Sequence, residues 1–524
     1  MLVVAIMKFF TTDQIRLLDQ YTIEHEPITS IDLMERAADA LYREFIGNFP
    51  YQQPVCILAG QGNNGGDALA LARILLKSGF EVSVQLVYSD KLSTDCETNR
   101  KRLFEAFPDS LTELKNQFIA PQVSDETIII DGLFGSGLSR PLSGIFAQAV
   151  EWINKTENTV VSIDIPSGLQ GEELTLAPPD KKIGINCREQ EKISNIVKAN
   201  YTFSLQFPKL AFFFAENEKF TGKWEVVEIG ILPEAIQKNS SNLYYLEQKD
   251  IVSILKKRSR FSHKGTFGHA LIVAGSKGMA GASVLSSKAV LKAGAGLVTV
   301  HGPECNRTIV QTANPEVIFQ SDNQTDFISE VQLTDKFNAI AIGPGIGTSS
   351  ETTEMLRDFL SNLKSPCVLD ADALNIISQN LDLLEFIPEN SILTPHPKEF
   401  ERIFGESTTS YQRMINAQEA ALRYKIFIIL KGAHTLIVCP DGRFYFNSTG
   451  NSGMATAGSG DALTGILAGL LAQGYNPEEA AKLAVFIHGL AGDLALKKES
   501  KESLIASDII NHLGKAYNFL RMEN

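Results

Sequence analysis

One alternation governs how this chain can fold. Short apolar runs of strand length are each followed by a turn bearing Gly, Asp or Pro, and then by a helical stretch. In the first half the runs are PVCILA (54–59), EVSVQLV (81–87), TIIID (127–131) and TVVSID (159–164), with weaker runs at 200–207 and 224–231. In the second half they are HALIVAGS, GLVTVHG, AIAIGPG, CVLDADAL, SILTPH, IFIILKG and HTLIVCP. Runs this apolar, separated by helices, predict βαβ units around parallel sheets covered on both faces. The fold class is therefore α/β, and ligands are expected at the carboxyl ends of the strands.

At 524 residues the chain is too long for one core. The segment 232–243, LPEAIQKNSSNL, is the expected linker, giving domains at 1–235 and 244–524. Residues 12–49 are expected to be helical, opening at a cap-like Thr12, and 170–197 is a polar surface excursion. The apolar start lacks the basic region and cleavage site of a signal peptide, and Met7 is a candidate initiator. The net charge of -13 disfavours nucleic acid and anionic membrane as partners. No apolar run approaches the ~20 residues of a membrane span. Six scattered cysteines without a C-x-x-C pair predict reduced thiols and a cytoplasmic setting. A homo-oligomer is the expected assembly.

The turn GQGNNGGDALALA (60–72) spells G-x-G-x-x-G with Gly60, Gly62 and Gly65. At a helix start it directs free N–H groups toward a phosphate. A redox dinucleotide site would also need an acid ending the second strand, but Glu81 stands at that strand's start. A tight turn without ligand is the plain alternative. Against it stand further strand-end clusters: Asp131 with the glycines and Arg140 of DGLFGSGLSRP, and Asp164 with Ser167 in DIPSG. Each alone reads as a turn residue or cap. Together they read as a site, in which Asn64, Asp131 and Ser167 offer oxygen ligands to one hard cation.

GNNGGD, DGLFGSGL and DIPSGL, in this order within roughly 8–232, resemble the YjeF N-terminal domain family, the NAD(P)H-hydrate epimerases. The resemblance implies a Rossmann-like fold that binds hydrated NADH and NADPH. It implies substrate contacts from Asn63, Asn64, Gly65, Gly66 and Asp67, and from Gly135, Ser136, Gly137, Leu138, Ser139, Arg140 and Pro141. It adds Asp164 as contact and catalytic candidate, and K+ on Asn64, Asp131 and Ser167. Ala68 stands where many relatives carry Gly.

In the second half, NSTGNSGMATAGSGDALTG (447–465) is rich in Gly, Ser and Thr and runs into an apolar helix. Its amides can form an anion hole. Asp461 either complements the helix dipole or serves as a base toward a bound hydroxyl. Lys431, after a buried strand, is a phosphate ligand or a snorkelling lysine. His396, fixed between two prolines, is a ligand contact. HKGTFGH, AGSKGMAGA, GPGIG, LDADALN, TPHPKEF, LKGAHT and the Gly-rich stretch resemble the YjeF C-terminal family of ADP- or ATP-dependent NAD(P)H-hydrate dehydratases, with a ribokinase-like fold. This resemblance implies that Ala282, Gly345, His396 and Asp461 contact the hydrated nucleotide. It places ADP or ATP on Lys431, Gly432, Ala433, His434, Thr435 and Gly460, with Mg2+ assumed and Asp461 catalytic. Two rival classes are a small-molecule kinase, which would release a phosphorylated product, and a non-catalytic nucleotide-binding scaffold.

Overall fold

The computed structural model describes residues 7–49, 53–138, 141–172, 195–332 and 334–522. Most of the surface excursion expected at 170–197 lies outside these residues. The chain divides into two units, Lys8–Ser241 and one that runs from Asn242 onward. That boundary falls inside the expected linker 232–243, but the segment is not unstructured. Pro233–Lys238 is a short helix with Pro at its start, and Lys8 Nζ donates to Asn239 O while Ser241 Oγ donates to Phe9 O. The segment is thus stitched to the beginning of the first unit rather than hanging between two.

The strands of the chain's first part are β1 (Met7–Lys8), β2 (Val55–Ala59), β3 (Val82–Val87), β4 (Leu111–Leu114), β5 (Ile128–Gly132), β6 (Val160–Ile163), β7 (Tyr201–Leu205) and β8 (Lys223–Val227). Seven of them form a sheet in the order β4-β3-β2-β5-β6-β7-β8, and every pairing is parallel. The chain winds outward from β2 to one side, then returns to start β5 on the other. That reversal opens a crevice between the carboxyl ends of β2 and β5. The first helix, Thr12–His25, is capped by Thr11, one residue before the expected Thr12, in a capping box with Gln14.

From residue 243 the strands are β9 (Leu243–Leu246), β10 (His269–Val273), β11 (Leu297–Gly302), β12 (Ile318–Ser321), β13 (Ala339–Ile342), β14 (Val368–Leu369), β15 (Ile392–Leu393), β16 (Phe427–Leu430), β17 (Leu436–Val438) and β18 (Phe444–Asn447). They run across one sheet as β9-β18-β17-β16-β15-β14-β13-β10-β11-β12. The pairings β16–β17 and β17–β18 are antiparallel, a departure from the expected all-parallel pattern made by two reversals, the turn at 431–435 and a Pro-Asp-Gly turn at 440–442. Ala270 and Ile272 enter one apolar cluster, while Leu271 and Val273 on the opposite face are equally buried, so helices cover both faces. Two of those helices, Ala280–Ala293 and Ser459–Ala472, pack very closely. A methyl on Gly465 would stand 2.2 Å from Ser286 O, and one on Gly469 would stand 2.9 Å from Ala293 Cβ.

Candidate active sites

The first site lies at the β2/β5 crevice. The helix Asn63–Lys77 begins straight after β2 with Gly62 as its cap and no side-chain cap bond, which leaves its first amides to a ligand. The turn is too tight for side chains: a methyl on Gly60 would meet Leu133 O at 1.8 Å, and one on Gly65 would meet Gly60 O at 1.8 Å. The methyl of Ala68 is accommodated because Gly132 faces it, where an added Cβ would come within 2.4 Å. Asn64, Gly65, Gly66 and Asp67 are buried and Asn63 is exposed.

Asp131, at the end of β5, is fully buried. Its carboxylate accepts from Ser162 Oγ (2.8 Å), Ser167 N (2.9 Å), Ser167 Oγ (2.6 Å) and Leu133 N (3.2 Å). Burial raises its pKa, opposed by the bonds from Ser167 and Ser162. Asn64 Nδ2 donates to Ile163 O at 3.3 Å, whereas its Oδ1 is buried with no hydrogen-bond partner. Asp131 and Ser167 thus meet directly, and Asn64 brings an unsatisfied oxygen acceptor from the neighbouring strand end.

Asp164 follows β6 with φ at +67°, a left-handed conformation that costs a non-glycine residue energy and is held here by two partners. Ser136 N donates to Asp164 Oδ2 at 3.0 Å, and Lys209 Nζ lies 2.7 Å from Asp164 Oδ1. Lys209 is only 2 % exposed and donates further to Ser204 Oγ and Phe207 O. Burial works to raise the Asp164 pKa, but the ammonium beside it prevails and holds it below the ordinary value. Its neighbours go the other way. Asp67 is pushed well above the usual range by burial and by the charge of Asp164, and Asp19 is raised to about 7 by the same two causes.

The loop after β5 frames these carboxyls. A methyl on Gly135 would stand 3.0 Å from Asp164 Oδ2 and 3.4 Å from Asn64 Cβ, and one on Gly137 would stand 2.8 Å from Arg16 Nη2. Leu138 packs against an apolar cluster, so only its backbone can face a ligand, and Pro141 is exposed. Ser139 and Arg140 lie outside the described residues. Lys209, Asp19 and Arg16 were not singled out from sequence. A lysine inside FPKLAFFF was the one available signal.

The second site gathers the ends of five adjacent parallel strands, β10, β13, β14, β15 and β16. The loops after β10 and β13 are tied by Gly275 N donating to Pro344 O at 2.8 Å. A methyl on Gly345 would stand 3.1 Å from Ala282 Cβ, so these two expected contacts are neighbours. His396 caps the helix Pro397–Phe404: its Nδ1 accepts from Lys398 N (3.1 Å) and Glu399 N (3.3 Å). Capping, as much as the prolines, fixes it. With Nδ1 accepting, the ring proton is assigned to Nε2. Burial lowers the His396 pKa, with Glu399 opposing, so the ring is neutral with its proton on Nε2, 3.5 Å from Glu399 Oε1.

Lys431 Nζ lies 2.9 Å from Asp370 Oδ1 and 3.7 Å from Glu399 Oε2. Burial would lower the Lys431 pKa, but Asp370 and Glu399 raise it, so it stays charged. Asp370, at the end of β14, also accepts from Thr464 Oγ1 at 2.7 Å. Asp370 and Glu399 were missed in the sequence because each sits in a motif whose other residues look like cap or turn signals. Gly432 to Thr435 form the β16–β17 turn, with Thr435 Oγ1 donating to Gly432 O at 3.1 Å and His434 Nδ1 3.2 Å from Asn447 O.

The helix Ser459–Ala472 starts from Gly458 at φ +83°. Ser459 N donates to Thr456 O at 3.3 Å, leaving the Gly460 amide, in the helix's first turn, without an intrahelical acceptor. A methyl on Gly460 would stand 3.5 Å from Lys431 Nζ and 3.7 Å from Asp370 Oδ2, so this turn faces Lys431. Asp461 is raised to about 6 by burial and by Asp370, with Lys431 opposing. A carboxyl raised from 3.8 to about 6 is a charged base only above that pH. Turnover at this site is therefore expected to fall as pH drops through about 6 and to be level above it. A rate profile flat down to about pH 5 would contradict a base role for Asp461.

Two family models match the chain: NAD(P)H-hydrate dehydratase over residues 270–515 and YjeF-related protein N-terminus over residues 30–211. The bifunctional NAD(P)H-hydrate repair enzyme of Thermofilum pendens is 33% identical, over 98% of this chain and 97% of its own. The enzyme of the same name from Escherichia coli is 29% identical, over 97% and 93%. A solved structure of the ADP/ATP-dependent NAD(P)H-hydrate dehydratase of Bacillus subtilis is similar to 52% of this chain over 98% of its own, at 30% identity and a TM-score of 0.47.

Proposed function

Since the chain belongs to the family of bifunctional NAD(P)H-hydrate repair enzymes, we propose that it restores hydrated NADH and NADPH by two activities on one polypeptide. Residues 8–241 interconvert the R and S epimers of the hydrate, and residues 242–524 dehydrate the S epimer with ADP or ATP. The observation that carries the reading is Asp461 at a Gly-rich helix start that faces Lys431.

Hydration leaves a hydroxyl on C6 of the nicotinamide ring, and hydroxide is a poor leaving group. In the second site Asp461 takes the hydroxyl proton as the oxygen attacks the terminal phosphorus of ADP or ATP, whose bridging P–O bond breaks to release AMP or ADP. Lys431 and the Gly460 amide stabilise charge on the transferred phosphoryl. The C6–O bond then breaks as the ring nitrogen lone pair pushes in, phosphate leaves, and loss of the C5 proton restores NADH or NADPH. His396 Nε2–H and the Ala282–Gly345 surface orient the hydrate. Asp370 and Glu399 are hard oxygen donors of the kind that suits Mg2+, which would neutralise phosphate charge.

The first site interconverts the two C6 epimers, so that both feed the second. Asp164, held charged by Lys209, accepts the proton of the substrate hydroxyl as the C6–N1 bond opens to a C6 aldehyde. The carboxyl of Asp67, its pKa raised, gives a proton to the freed ring nitrogen, with Asp19 beside it. Rotation about C5–C6 and reclosure, with both protons returned, yields the other epimer. K+ would be held by Asn64, Asp131 and Ser167, an all-oxygen set with one carboxylate that includes an unsatisfied Asn64 Oδ1. It would fix three strand ends relative to one another. Asn64→Ala is the cleaner probe, because Asp131 has four hydrogen bonds of its own to lose. It should weaken K+ dependence of epimerisation by at least ~10-fold and leave dehydration unchanged. An epimerase indifferent to Asn64→Ala would remove that residue from the ion site.

The function is tested by incubating the purified chain with mixed NADH-hydrate epimers and ADP or ATP while following NADH absorbance. Full recovery of NADH from both epimers, with one phosphate released per NADH, is the expected result. A stable phosphorylated product would instead make the second unit a small-molecule kinase, and binding without turnover would make the chain a scaffold.

A further inference from the structure

At the opposite end of the second unit's sheet from its site lies a cleft of about 630 Å³. Lys256, Lys257, Arg258, Lys292 and Arg521 line it, and among the described residues no Asp or Glu does. In a chain of net charge -13 such a one-signed cluster runs against the composition. Mutual repulsion of that kind is relieved by an anion.

Three of the five cations have local partners. Arg521 lies over the Tyr517 ring, 5.7 Å from its centroid. Lys256 Nζ donates to Gly474 O, and Arg258 Nη2 donates to Gly294 O and to Gln473 Oε1 at 2.9 Å. These bonds close the carboxyl ends of the helices Ser459–Ala472 and Ala280–Ala293. Lys257, Lys292 and Arg521 have no carboxylate partner among the described residues. Phe267, from the HKGTFGH motif that neither site uses, forms part of the wall, with the Arg258 guanidinium 3.8 Å from its ring centroid. The tyrosines of the cleft are already engaged. Tyr475 Oη accepts from Lys256 N at 2.9 Å with Lys256 Nζ over its ring, and Tyr517 Oη donates to Ala293 O at 3.0 Å.

We propose that this cleft is a second anion site, which takes a compact ligand bearing at least two phosphate groups. Cations supply the recognition, and the engaged aromatic rings leave little to stack on a base, so the phosphates are read rather than the nucleoside. The ligand is either free polyphosphate or the phosphate chain of a nucleotide. The cleft is distinct from the dehydratase site, because both helices that end here begin there. Each is 14 residues long, or about 20 Å.

The test is calorimetric titration of tripolyphosphate into the full chain carrying Lys431→Met, which removes the dehydratase site's own cation. One tripolyphosphate per chain is expected. Adding Lys257→Glu and Lys292→Glu, both exposed positions, should weaken it by ~10-fold or more, and so should raising the salt to about 0.2 M. Arg521→Glu alone should weaken it by a smaller factor. ATP competing at equal affinity would identify the nucleotide phosphate chain as the recognised group, and tighter binding of tripolyphosphate would identify free polyphosphate. No binding at millimolar tripolyphosphate, or binding untouched by the paired charge reversal, would overturn the site. Either result would leave the dehydratase assignment standing, since that is read from NADH recovery.

Discussion

Asp461→Asn is expected to lower dehydration at least ~100-fold, the usual scale for removing a general base. The amide keeps the size and polarity of the side chain, so the turn after Gly458 and the packing of the helix behind it should persist. What is lost is the only carboxylate placed on the first turn of that helix, beside a Gly460 amide that faces Lys431. Epimerisation, carried by the other sheet, should be nearly unchanged. The measurement is NADH formed from the S epimer with ADP or ATP, set against the rate at which R and S interconvert in the same sample. Near-normal NADH recovery would reduce Asp461 to a partner of the helix dipole.

Asp164→Asn should produce the reverse pattern. Asparagine tolerates the left-handed backbone that Asp164 adopts, so the variant isolates the charge. From the R epimer, NADH should appear only as fast as spontaneous epimerisation allows, a loss of ~100-fold or more in the catalysed rate. From the S epimer, NADH should form normally. Lys209→Met should act in the same direction through Asp164, because the carboxyl then loses the ammonium 2.7 Å away and its hold on the charged form. With Lys209 present the Asp164 pKa lies below the ordinary value, so the carboxylate is charged across the neutral range. Without it burial dominates, the pKa rises, and the acidic limb of the epimerase profile moves to higher pH. A Lys209→Met enzyme with an unmoved pH profile would leave the lysine a purely structural role, and unchanged R-epimer conversion by Asp164→Asn would remove the aspartate from the mechanism.

Much of the fold was legible because strand-length apolar runs and helix-length stretches alternate with little ambiguity, as in PVCILA followed by GDALALARILLKSG. The misses are places where local sequence carries two messages. Thr11 and Thr12 are both capable caps, and only the backbone decides that Thr11 is the one. HTLIVCP looks like its neighbours, yet the Pro-Asp-Gly turn after it folds the chain back into an antiparallel pair with β18. The Gly-rich turns and strand-end carboxylates of both sites could be picked out because a ligand-binding strand end has a recognisable residue content. Lys209 and Asp370 could not. Their importance comes from partners far off in sequence, Asp164 for one and Lys431 for the other, and nothing beside them in the chain announces those partners. The same holds for Asn64, whose unsatisfied oxygen is visible only once its amide nitrogen is seen to be committed to Ile163.

The close contact at Gly465 and Gly469 ties two loops of the dehydratase site to one dimension. One helix carries Asp461 at its start, and the other starts just before Ala282, which abuts Gly345. Their separation is set by two hydrogen atoms where any other residue would place carbon. The distance between Asp461, the proposed base, and the surface proposed to orient its substrate is therefore inherited from backbone packing in the middle of the unit. Side chains at the rim can vary in chemistry without changing that gauge, whereas a single methyl in the interior would alter it while leaving every catalytic group in place.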